Sequence, residues 1–128
     1  MLIHYEPRTK SRLRYSLPLA DARGSVGVHF GESPYFPLVE IDLPEMRLFK
    51  QEIIANLYHD LAKGKGLKVA RFLLTYKPDV VLARESLAGK GPGYAFAEAG
   101  VEIRQIGYST LDELIDDLEK KEAVVLCA

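Results

Sequence analysis

Residues 77–84 read KPDVVLAR, that is Lys77-Pro78-Asp79-Val80-Val81-Leu82-Ala83-Arg84. A proline disfavours helical backbone at the residue before it, so Lys77-Pro78 ends any helix that reaches it. The four apolar residues after Asp79 have no polar residue at alternate positions, and the strand they form is buried on both faces, as in a parallel sheet. A parallel strand needs a crossover before it. Leu67, Ala70, Leu73 and Leu74 supply one, since they fall at i, i+3, i+6 and i+7, the stripe of an amphipathic helix that starts near Gly66. Beyond the strand, Pro92 fits the first position of a short helix and Gly100 its C-terminal cap. Val101, Ile103 and Gln105 then alternate with Glu102, Arg104 and Ile106 in a further strand. A last helix is announced by the capping-box spacing of Thr110 and Glu113. Its apolar stripe is Leu111, Leu114, Ile115 and Leu118, with acids early and Lys120-Lys121 late.

Upstream of Gly66 the rhythm is different. Leu13, Tyr15, Leu17 and Leu19 alternate with Arg14, Ser16 and Pro18, the period of a strand with one buried face. Two more strand-like runs, 36–42 and 46–54, are joined by the short turn Leu43-Pro44-Glu45 and predict an antiparallel hairpin. The class is α/β: a mixed five-stranded sheet, antiparallel hairpin strands first and parallel strands after, flanked by helices. The first strand should lie beside the fourth, with Leu17, Val39, Leu73, Val81 and Leu114 buried. Strand directions then place the loops after Asp21, Asn56, Arg84 and Gly107 along one edge, where ligands of open α/β sheets usually bind. His29, His59, Lys65, Arg84, Glu85 and Lys90 all belong to that edge.

Composition limits what such an edge can hold. A chain of 128 residues is long enough for one domain with its own core. A net charge of -1 with 27% charged residues gives no bulk attraction to nucleic acid, which is not expected as a partner. The longest apolar runs fall short of the roughly 20 residues that span a bilayer, and the start lacks the order of a signal peptide, so the expected location is the cytoplasm. The single cysteine, Cys127, cannot build a disulfide or a thiolate cage within the chain. Metal would have to be held by His, carboxylates or sulfur brought with it. Gly64-Lys65-Gly66 and Gly89-Lys90-Gly91-Pro92-Gly93 each open a helix, and free N–H groups there beside a glycine and an ammonium favour an anion. Neither stretch matches the P-loop or the dinucleotide fingerprint, and glycine-lysine turns are also ordinary exposed connectors.

The three histidines differ in setting. His4 belongs to an N-terminal tail, and His59 in Asn56-Leu57-Tyr58-His59-Asp60 reads either as a loop residue or as a second ligand oriented by its acidic neighbour. His29 lies in Val28-His29-Phe30-Gly31-Glu32-Ser33-Pro34-Tyr35-Phe36. Phe30 and Phe36 are expected to anchor that loop, which holds His29 at the rim, and Gly31 leaves space in front of it.

Residues 27–36, with HFG followed by Ser-Pro-Tyr-Phe and then Leu-Val-Glu-Ile-Asp, resemble the dinitrogenase iron-molybdenum cofactor biosynthesis family, the NifX-like domains. The resemblance runs from the first strand through the last helix and includes Pro78-Asp79-Val80-Val81. It implies a ribonuclease-H-like sheet and a non-enzymatic role in binding or carrying an iron-sulfur or iron-molybdenum cluster precursor. His29 is then the candidate ligand, with His59 a second metal candidate and Gly31, Ser33, Lys65 and Lys90 the residues expected around the cargo. The two lysine-bearing stretches are more basic than expected of nitrogenase members, which leaves room for a different ligand, including a divalent metal ion. Leu2-Ile3-His4-Tyr5-Glu6-Pro7 resembles the closing strand of the cytoplasmic domain of cation diffusion facilitator transporters. On that reading residues 1–10 are a tail or the remnant of a preceding domain, 11–128 are the NifX-like domain, and a fused or associated membrane transporter is the partner.

Two alternatives come from other classes. A ribonuclease-H-like sheet can hold paired carboxylates for divalent-metal-dependent phosphoryl transfer, with Asp21 at the end of the first strand, although Asp42 falls at the far end of its neighbour. A purely structural module would instead use an exposed sheet edge to form a homodimer.

Overall fold

The computed structural model describes residues 12–42, 47–58 and 65–127. The elements are strands β1 (Arg12–Ser16), β2 (Tyr35–Asp42) and β3 (Arg47–Ala55), helix α1 (Lys65–Leu74), strand β4 (Val80–Ala83), helix α2 (Gly91–Glu98), strand β5 (Glu102–Gln105) and helix α3 (Leu111–Cys127). They form one five-stranded sheet in the order β3-β2-β1-β4-β5. β2 is antiparallel to both β1 and β3, whereas β4 runs parallel to β1 and β5 parallel to β4. The mixed sheet and the adjacency of the first and fourth strands are as expected. The turn at 43–45, the tail at 1–10 with its transporter-like start, and His4, His59 and Gly64 lie outside the described residues.

The short strand at 80–83 organises the core. Val80 and Leu82 join Tyr15, Leu17, Val39, Leu111 and Leu114 on the face that α3 covers. Val81 and Ala83 join Phe36, Val69, Leu73 and Phe96 on the face that α1 and α2 cover. A strand can be apolar at every position only when both of its faces are covered, and this one is. Leu17, Val39, Leu73 and Val81 are fully buried and Leu114 is 1% exposed. Each such side chain contributes about 1.5–3 kcal/mol through removal of apolar surface from water.

Local signals fix the ends of the elements. Thr110 and Glu113 form the expected capping box: Thr110 N donates to Glu113 Oε1 at 3.0 Å, and Glu113 N donates to Thr110 Oγ1 at 3.2 Å. Gly100, with φ 77°, takes the left-handed position just past α2 that a side chain would strain. The first strand ends at Ser16, earlier than its alternation through Leu19 predicts. Pro18 has no N–H to give a ladder, and Leu19 forms only single bridges to Val26 and Tyr35.

Candidate functional site

The carboxyl ends of β1, β3, β4 and β5 meet one edge, and the described residues of the loops that leave them lie there. The loop at 27–34 is fixed from several directions. The Phe30 ring, 1% exposed, is wedged against Phe36 (centroids 5.2 Å apart) and edge-on to Phe96 (5.6 Å). Asn56, directly after β3, donates from Nδ2 to the carbonyls of Ser33 (2.8 Å) and Gly31 (3.3 Å), and its Oδ1 accepts the Tyr58 N–H. Ser33 is buried and its hydroxyl donates to the His29 carbonyl at 2.8 Å. A buried side chain placed to satisfy loop carbonyls fixes the backbone it bonds, because breaking the set leaves polar groups dry.

Glycine lets this loop touch the helices. A Cβ on Gly31 would lie 3.1 Å from Lys65 Cγ and 3.4 Å from Gly66 Cα, and one on Gly66 would lie 3.0 Å from Pro92 Cγ. The HFG loop, the start of α1 and the start of α2 are therefore contiguous. Lys65 is the first residue of α1 and Lys90 the N-cap of α2.

At the centre is Glu85, in the loop after β4. Its Oε2 accepts the Phe30 N–H at 2.6 Å. Its Oε1 lies 3.3 Å from Lys90 Nζ and 3.8 Å from His29 Nδ1. The Glu85 side chain is 22% exposed, while that of His29 is 67% exposed. One carboxylate thus ties the HFG loop to the start of α2 and leaves the imidazole outermost.

Of the residues singled out in the sequence, His29, Gly31, Ser33, Lys65 and Lys90 come together at this edge, and His59 lies outside the described residues. The structure differs from the expectation in one respect. Lys90 does not stand as an open cation on its helix terminus, because it is paired with Glu85. The sequence placed Glu85 and Asn56 in these loops without giving either a role. An acid following a buried strand and an Asn ending an exposed one are too common to stand out alone.

Asp21 does other work. Its carboxylate accepts the N–H groups of Arg23 (2.9 Å) and Ser25 (3.1 Å), and these bonds, that from Ser25 foremost, hold it below the ordinary Asp range. It closes its own turn. Asp42 is at the opposite end of the sheet, paired in register with Arg12. Among the described residues no group of three or more His, Cys, Asp or Glu side chains comes together, and no helix is long and apolar enough to cross a membrane.

An open mixed sheet with an exposed imidazole and two helix starts at the carboxyl edge of its strands has the layout of a ligand-binding α/β domain. Comparison with known families narrows this. The family model described as "Dinitrogenase iron-molybdenum cofactor" matches residues 12–121, and the chain belongs to that family. Among solved structures it is similar to the crystal structure of PH0822, with 20% identity and a TM-score of 0.70 over 85% of this chain and 92% of that one. It is also similar to the apo form of the orange protein from Desulfovibrio gigas, with 19% identity and a TM-score of 0.66 over 85% and 88% of the two chains. A putative dinitrogenase (mj0327) from Methanocaldococcus jannaschii has 14% identity and a TM-score of 0.56, covering 84% of this chain and 89% of its own. At such identities these likenesses bear on the fold alone. No curated protein matches the sequence.

Proposed function

We propose that the chain is a non-enzymatic domain that binds an iron-sulfur or iron-molybdenum cluster precursor and passes it on, with the His29 imidazole as its main ligand. The observation that carries this reading is the contrast within one dipeptide: His29 is 67% exposed in its side chain, whereas Phe30 is 1% exposed. A residue held so firmly by its neighbour while presenting a metal-binding group to solvent is preorganised for a ligand. Membership in the cofactor family supports the class of cargo. Imidazole suits iron as readily as other transition metals, and a cluster brings its own sulfides for the remaining positions. Gly31 lets the loop lie against Lys65 and Gly66, Ser33 holds the His29 carbonyl, and the helix start at Lys65 favours a negatively charged cargo, while Lys90 reaches the same edge paired with Glu85. His59 is the candidate second ligand.

A second reading, a divalent metal ion as cargo, is favoured by the Glu85 carboxylate 3.8 Å from His29 Nδ1. Carboxylate beside imidazole is a donor set for a cation, and it opposes an anion.

The test of the site is His29→Ala, followed by absorption spectroscopy with a reconstituted cluster and by thermal unfolding. Binding should fall by at least about tenfold while Tm moves by no more than about 2 °C, since an exposed side chain away from the core is worth little to stability. Unchanged binding with a collapsed Tm would make His29 a structural residue.

A further inference from the structure

β3 is the long edge of the sheet, and among the described residues no strand pairs with its outer side. It is exposed along almost its whole length, with Leu48, Phe49 and Ile53 between 38% and 48% exposed. Edge strands of this length, with apolar side chains and no proline, are templates for another strand.

The direction of its backbone groups follows from its neighbour. Tyr35 N–H and C=O are bonded to Leu19, on the β1 side, so Tyr35 gives nothing to Ala55 opposite it in β3. Asn56, one residue on, donates its N–H to the Pro34 carbonyl. Antiparallel ladders alternate, so Gln51, Ile53 and Ala55 turn their N–H and C=O groups outward. Pro37, which has no N–H, stands opposite Ile53 and agrees with this phase.

We propose that β3 is the interface of a two-fold homodimer, pairing antiparallel with β3 of a second copy about an axis at Gln51. Charge selects that register. With Gln51 opposite Gln51, the outward groups of each bond the other, and Lys50 stands opposite Glu52 of the second copy on both sides of the axis. Within one chain Lys50 Nζ and Glu52 Oε1 are already 3.4 Å apart on the same face. The dimer therefore closes a square of alternating charges. Placing the axis midway between two residues sets outward groups against inward ones. Centring it on residue 50 or on residue 52 sets Lys50 against Lys50 or Glu52 against Glu52, and centring it on Ile53 leaves both charges without a partner. A lysine on a free edge ordinarily discourages pairing, and here its complement lies two residues away on the same strand. The bulge that leaves Phe49 without a register partner on β2, and the Leu48 N–H that already donates to Glu119 Oε2 at 2.8 Å, end the free ladder there, so the contact is short and the dimer reversible. Asn56, which holds the His29 loop, follows β3 directly, so antiparallel pairing puts the two binding edges at opposite ends of one continuous sheet.

Sedimentation velocity across a concentration series, with amide exchange of the full chain, tests this. The parent should pass from monomer to dimer, and Gln51 and Ile53 amides should become protected as it does. Lys50→Glu sets like charges opposite each other twice and should raise the dissociation constant by about tenfold or more. The double variant Lys50→Glu/Glu52→Lys should restore dimerisation, because the square closes with its signs exchanged. Both side chains are about half exposed, so neither change threatens the fold. A parent that stays monomeric, a dimer indifferent to Lys50→Glu, a double variant that fails to recover, or Gln51 and Ile53 amides protected at every dilution by the chain's own residues would each overturn the proposal.

Discussion

Glu85→Gln separates the two proposed cargoes and can be worked out from the geometry. The substitution keeps the shape and leaves one oxygen able to accept the Phe30 N–H, now 2.6 Å from Oε2. It turns a hydrogen bond to a charged acceptor into a neutral one, a loss of ~1 kcal/mol. The pair with Lys90 adds less, ~0.5 kcal/mol, because the Lys90 side chain is 56% exposed and screened by water. The two together, ~1.5 kcal/mol, lower Tm by about 6 °C in a domain of this length. Binding responds differently. The His29 ring nitrogen is 3.8 Å from the carboxylate, so a metal held there would feel its charge, and a unit charge at roughly 6 Å is worth ~1–3 kcal/mol between protein-like and water-like screening. Removing the carboxylate also releases the Lys90 ammonium toward the same place. An anionic cluster should therefore bind at least about fivefold more tightly to Glu85→Gln, and a divalent cation at least about fivefold more weakly. Titration with a reconstituted cluster and with zinc, each followed by absorption or calorimetry, gives both numbers. If both cargoes weaken together and in step with Tm, Glu85 serves only to hold the loop, and the electrostatic reasoning fails.

Other perturbations probe the frame of the site. Asn56→Ala strips the Gly31 and Ser33 carbonyls and the Tyr58 N–H of a buried partner, and should cost about 1–3 kcal/mol in denaturant unfolding and weaken cargo binding as the His29 loop loosens. Thr110→Ala removes the cap of α3 and should cost about 1 kcal/mol with binding unaffected, because that helix covers the opposite face. Tyr108 has its hydroxyl pushed up to about 12 by burial first and by its bond to Asp117 second. A raised value means that the unfolded chain ionises first, so this contribution to stability is intact below about pH 10 and lost between there and about 12. The stability of Tyr108→Phe should fall less steeply than that of the parent across this alkaline range, and identical slopes in pH-dependent denaturant melts would remove Tyr108 from the account.

Much of the frame was legible because each signal is local. Val80 to Ala83 carry no polar residue, Thr110 and Glu113 have one spacing, and Gly100 stands where a left-handed residue is needed; no distant contact changes those readings. The alternation extends to Leu19, but Pro18 interrupts the ladder, so the strand stops short of it. The site was half legible. His29, Gly31, Lys65 and Lys90 could be assigned to one edge from strand direction, which requires only the order of elements. That Glu85 would turn its carboxylate back onto the Phe30 N–H and pair with Lys90 depends on how the loop at 27–34 packs on the loop after β4, and a sequence does not carry that. The free edge of β3 was likewise beyond reach, since it depends on which strand is last in the sheet.

The openness of the His29 edge bears on what kind of binder the proposed function would make this chain. A storage site gains affinity by enclosing its cargo, and enclosure slows release more than it speeds capture. Here the imidazole is two-thirds exposed (67%), and the loop beneath it is fixed by Phe30, Asn56, Ser33 and Glu85. Preorganisation without enclosure lowers the entropic cost of binding while leaving the cargo within reach of a second protein's ligands. On the proposed function, a recipient would coordinate the metal from the open side before the His29 bond breaks, and exchange would not wait for dissociation into solvent. The rate of transfer to an acceptor chelate should accordingly rise with acceptor concentration and exceed spontaneous release, whereas an enclosed store would show a transfer rate independent of the acceptor.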